Sequence, residues 1–137
     1  MYNITFKNSE HENFYLETMK GVRYPDCYNK SLIYLLGISR ITREHFGQIF
    51  NVKSGYIKVE CLCQGWVNRC SEKIIRLAFN LYTGWTPTIS DCHNEQERLE
   101  ECSQYTVNEI FCCDYARYLW QGIKLRYPEY TTAGRNA

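Results

Sequence analysis

The residues best equipped for chemistry are eight cysteines and three histidines in a chain of 137 residues. Cys61 and Cys63 flank Leu62. On an extended segment alternate side chains share a face, so these two thiolates could meet one ion. Cys70 follows, and Cys92, His93 and Cys102 form a second group. Zinc takes four nitrogen or sulfur ligands in a tetrahedron, commonly from two sequence-distant pairs. A set drawn from Cys61, Cys63, Cys92 or His93, and Cys102 meets that demand. The zinc expected there is structural, with four protein ligands and no activated water. The C-x-x-C knuckle is absent, and the same residues read equally well as unlinked buried thiols.

The remaining candidates are less suited to catalysis. Cys112 and Cys113 are adjacent, so on a helix they point apart, which fits core filling better than joint ligation. His11-Glu12 lacks the second histidine of a metalloprotease helix, and no phosphate loop or nucleophile elbow is present. A hydrogen-bonded or solvated role is expected for His45. A non-enzyme is therefore expected. An enzyme with a cysteine nucleophile is a third reading, because a Cys–His pair need be close only in space.

Charge is uneven. The net charge is +1, which argues against a dedicated nucleic-acid binder relying on overall basicity. Yet Asp91, Glu95, Glu97, Glu100 and Glu101 stand against a lone Arg98, about four net negative charges within one short segment. Arg117, Lys124, Arg126 and Arg135 make the end of the chain basic. The acidic strip reads either as a solvated helix face or as a patch that docks on a basic groove. Twelve tyrosines would supply amphipathic anchors for such a contact. The N-terminus has no long apolar run and no segment is apolar enough to span a bilayer, so a cytoplasmic protein is expected. In a reducing compartment disulfides are not the default for its cysteines.

The elements that must position these residues are mainly helical. The pattern predicts a single domain over residues 1–137, mainly α, with about five helices and a small two-stranded β ribbon. Ser9 and Glu12 form a capping box for a helix to about Met19. Pro25 and Asp26 open a second helix that closes at Gly37. A third runs from Ser39 or Thr42 to Phe50. A fourth opens at Ser71 and ends at Gly84. Thr106 and Glu109 open a helical turn, followed by a kink at Cys112–Cys113. A long helix from Asp114 then carries an apolar stripe of Ala116, Leu119, Trp120, Ile123 and Tyr127 until Pro128 stops it. Tyr2, Ile4 and Phe6 alternate as a short strand or extended arm. Ile57, Val59, Cys61 and Cys63 alternate as a second strand that could pair with it. Ser39–Phe50, following Gly37 and carrying Arg40 and Arg43, also fits a helix-turn-helix, with a plain helical hairpin as the competing reading.

Several stretches carry a resemblance. EHENFY, LIYLLGIS, TREHFGQIF, the GW before RLAFNL and above all IFCCDYARYLWQGIKLRYPEY resemble an uncharacterised domain-of-unknown-function family of Gram-positive bacteria and their prophages. The resemblance covers most of the chain and brings no agreed activity. What it implies is a context, a small cytoplasmic protein of phage or mobile-element type. Inhibitors of host defence, anti-CRISPR proteins among them, are of that gene type. The expectation is a protein–protein inhibitor that binds a host protein, a CRISPR effector nuclease with a basic nucleic-acid channel. The acidic strip would be its partner-binding face, with no membrane or direct nucleic-acid contact. The alternative is a small helix-turn-helix DNA-binding regulator.

Overall fold

Local sequence sets most of the helix starts. In the structure, a computed structural model that describes residues 3–89 and 94–132, α1 (Ser9–Met19) opens behind Asn8, whose side chain accepts the His11 N–H. α2 (Cys27–Leu36) opens behind Asp26, which accepts the Asn29 N–H, and ends at Gly37. α3 (Arg40–Glu44) is capped by Ser39, and α4 (Phe46–Ile49) follows it. β1 (Phe50–Asn51) and β2 (Tyr56–Ile57) pair antiparallel, with Phe50 opposite Ile57. The turn between them uses Gly55 at φ 75°, a left-handed conformation natural to glycine. A 3-10 turn covers Val59–Cys63. α5 (Arg69–Thr83) starts with a reciprocal capping box between Asn68 and Ser71 and stops at Gly84 with φ 72°. α6 (Glu95–Cys102) is capped by Asn94, and a 3-10 turn, Ser103–Tyr105, leads to α7 (Val107–Phe111), capped by Thr106. α8 (Ala116–Arg126) and α9 (Pro128–Thr131) complete the described chain. The fold is mainly α with one small two-stranded sheet.

The helix at the centre is α2. Its residues from Ser31 to Leu36 are all buried, and a helix covered on every side must have neighbours on every side. They are α1, α5 and α8. The approach to α8 is tight: a Cβ on Gly122 would lie 2.5 Å from Leu35 Cδ2, and the Ser31 hydroxyl donates to the Gly122 carbonyl at 2.8 Å. The buried face of α8 is thus Leu119, Gln121, Gly122 and Leu125. The expected stripe is rotated: Trp120 is 47 % exposed, because the small Gly122, and no bulky residue, faces α2.

Other boundaries differ from expectation for local reasons. Tyr2 lies outside the described residues, and the described ones before α1 form no strand. The Thr5 N–H donates to the Gln121 side chain at 3.0 Å, and the Thr5 carbonyl accepts the Tyr34 hydroxyl. Deprived of that partner, β2 stops at Ile57 and Val59–Cys63 winds into the 3-10 turn. The helix expected from Ser39 to Phe50 divides at His45, whose backbone departs from helix (φ -110°, ψ 19°) and whose Nδ1 lies 2.9 Å from the Ile41 carbonyl. Asp114 does not cap α8, which has no side-chain cap. Among the described residues, no helix is long and apolar enough to cross a membrane.

Candidate functional site

Of the cysteines first considered for zinc, Cys61, Cys63 and Cys102 lie among the described residues. Cys61 and Cys63 lie on a 3-10 turn, not an extended strand, so their side chains diverge: Cys61 is buried in the core and Cys63 is exposed. Burial pushes the Cys61 thiol up to about 12, and the Glu60 carboxylate adds to the shift. Cys102 is half-buried, with its sulfur 3.6 Å from the Thr86 hydroxyl. Cys92 and His93 lie outside the described residues. Among the described residues, no three side chains of metal-ligating type come together. Cys61 and Cys63 thus differ in exposure instead of sharing the one face that the sequence suggested.

Neither described histidine is poised beside a thiol. His11 is fully buried and held from both sides: the Lys7 N–H donates to its Nδ1 at 3.1 Å, so Nε2 carries the proton and donates to the Tyr34 carbonyl at 2.7 Å. Burial lowers its pKa to about 4, against the raising effect of the Tyr34 bond; the charges of Arg43 and Lys7 also lower it. The His45 ring stacks on Trp66 at 4.2 Å. These are packing roles.

The helix-turn-helix segment is also occupied internally. α3 has five residues, too short to span base edges in a major groove as a recognition helix does. Arg43 donates to the Gly37 carbonyl at 2.8 Å, and Arg40 pairs with Glu44 at 2.6 Å. Thr42 is buried and donates to the Leu36 carbonyl. Arg43 and Thr42 thus bond back to the turn that joins α2 to α3.

The acidic strip divides into two parts. Asp91 lies outside the described residues. Glu101 turns inward: its carboxylate accepts from Arg76 at 3.3 Å and from the Ile89 N–H at 2.9 Å. Arg76 also pairs with Glu72 at 2.9 Å and lies over the Tyr105 ring. Glu95 and Glu97 occupy the first turn of α6, where carboxylates suit the positive end of the helix. At about 100° per residue, Glu95, Gln96, Leu99 and Glu100 share the outward face; all four are exposed. No residue of α6 is buried. Eight residues without a buried stripe have little to keep them helical alone; the bonds of Glu101 to Arg76 and Ile89, the Cys102–Thr86 contact and the following 3-10 turn tie the helix down.

Sequence reasoning missed two features. Arg76 gave no sign of being buried, since one of its two carboxylate partners, Glu101, stands 25 residues away. Cys70 and Cys113, read separately, line one cleft. Spacing alone could have revealed neither.

A family of unknown function (DUF6075) matches the chain over residues 1–137. No curated protein and no solved structure matches it.

Proposed function

For this chain, which belongs to that family of unknown function, we propose a role as a binding protein that docks the outward face of α6 on a basic protein surface and blocks it. The observation that carries this reading is Leu99, 59 % exposed between the Glu95 and Glu100 carboxylates on a helix with no buried residue. An apolar side chain ringed by like charges is poorly used in water. It becomes an anchor once a partner covers it, while complementary charge accelerates encounter and fixes register. A nuclease channel lined with lysine and arginine is the kind of surface this face fits. The resemblance to prophage proteins makes a CRISPR effector nuclease the first partner to try, as target of an anti-CRISPR type of inhibitor.

The test is a pull-down and a nuclease-inhibition assay across several defence effectors. Wild-type protein is compared with a Glu95→Lys, Glu100→Lys double variant. Binding that weakens at least tenfold in the variant, and that falls with added salt, is the expected result. Failure to bind or inhibit any effector, or equal binding by the variant, removes the proposal.

A further inference from the structure

We propose that Cys70 and Cys113 form a reversible dithiol–disulfide site that takes a peroxide as oxidant and, when closed, ties the first turn of α5 to the break between α7 and α8.

The fold brings together what the sequence keeps far apart. Cys70 is in the first turn of α5, and Cys113 lies between α7 and α8. Both line one open cleft of about 440 Å³, with Cys112, Lys73 and Asp114. α5 packs against both α7 and α8, and the Lys73 ammonium donates to the Glu109 carbonyl, so the two walls are already joined at that level. The thiols differ in setting. Cys70 is exposed to an incoming oxidant, whereas Cys113 is half-buried. They lie near enough for one to act on the other: burial raises the Cys113 thiol, the Tyr115 N–H bond to it works the other way, and the charge of Cys70 raises it further. An exposed attacking thiol beside a shielded resolving thiol is the division of labour of redox-active pairs.

The chemistry balances with peroxide alone. The Cys70 thiolate attacks one peroxide oxygen, the O–O bond breaks, and the departing hydroxide takes up the proton lost from the thiol. Cys113 then attacks the sulfenic sulfur, the S–O bond breaks, and the hydroxyl leaves as water with the Cys113 proton. Two thiols lose two electrons and two protons, and one hydrogen peroxide becomes two waters. Cys112 is exposed at the same cleft; Cys113 is assigned as the partner because it is the half-buried thiol that the charge of Cys70 reaches.

The experiment treats the fully reduced chain with one equivalent of hydrogen peroxide. Remaining thiols are counted, and peptides are mapped by mass spectrometry without reduction. Titratable thiols should fall from eight to six, with Cys70 linked to Cys113, and a dithiol reductant should restore all of them. Cys113→Ser should abolish the link while Cys112→Ser keeps it. Both positions are at least partly exposed, and circular dichroism checks that each variant is folded. Sulfenic or sulfinic acid on Cys70 without a link, a link surviving Cys113→Ser, or scattered pairing among the other cysteines would overturn the assignment.

Discussion

The Arg76 guanidinium and the Glu101 carboxylate meet at 3.3 Å with side chains only 5 % and 10 % exposed. This pair joins α6 to α5, with Glu72 and the Tyr105 ring also beside Arg76. Removing one member of a buried pair leaves an uncompensated charge, which costs about 3 kcal/mol or more. Arg76→Met should therefore lower the urea-unfolding stability at neutral pH by about that amount. Combining it with Glu101→Gln should cost less than Arg76→Met alone, since no orphan carboxylate is left at that position. Equal or larger loss in the double variant would show that the pair is not what holds α6.

Much of the helical outline was legible because helix ends are local events. Asp26, Ser39, Thr106, Gly37 and Gly84 act within a turn of themselves, and each bounds a helix as its residue type suggests. Even so, Asn8 and Asn68 cap where Ser9 and Ser71 were favoured, because an Asx side chain one residue earlier in the first case and three earlier in the second takes the N–H groups. What depends on distant partners could not be seen. The face of α8 is decided by Leu35 on α2, the course of the N-terminal arm by Gln121, and the inward turn of Glu101 by Arg76. The acidic strip was visible as charge, but which of its carboxylates face water depends on a contact 25 residues away.

His11 ties acid sensitivity to the core. Its pKa is about 4 in the fold against 6.5 for a free imidazole, so between those values the unfolded chain binds more protons than the native one. Stability then rises with pH across that window and is lost as pH falls from about 6.5 toward about 4. The full shift corresponds to roughly 3 kcal/mol. Urea unfolding at a series of pH values should show this slope in the wild type and a flatter one in His11→Gln. Parallel curves for the two proteins would mean that the imidazole is not buried in its neutral form.

Gly122 sets the spacing of α2 and α8. Alanine is ordinarily the better helix residue by about 1 kcal/mol, but here its Cβ would meet Leu35 Cδ2 at 2.5 Å and Cγ at 2.7 Å. Leu35 is fully buried, so overpacking decides the sign. Gly122→Ala should destabilise by about 2 kcal/mol. Leu35→Ala alone should cost about 3 kcal/mol through its cavity. The double variant should cost clearly less than the two together, because the added methyl fills part of the space vacated. Strict additivity in thermal or urea unfolding would place the close approach elsewhere.

Cys61 and Cys63 make the final contrast, two thiols one residue apart with opposite surroundings. Cys61 is buried, its thiol pushed up to about 12, while Cys63 is exposed. Alkylation needs both access and the thiolate. Under native conditions Cys63 should label readily and Cys61 only at the rate of unfolding, with both labelling alike in denaturant. The same geometry bears on metal. Because the pair does not converge, the zinc content of protein purified without added metal should be identical in wild type and Cys63→Ala. Loss of one equivalent on that substitution, measured by elemental analysis, would mean that Val59–Cys63 rearranges to present both sulfurs to an ion. Protection of Cys61 and Cys63 together from alkylation would point to the same rearrangement.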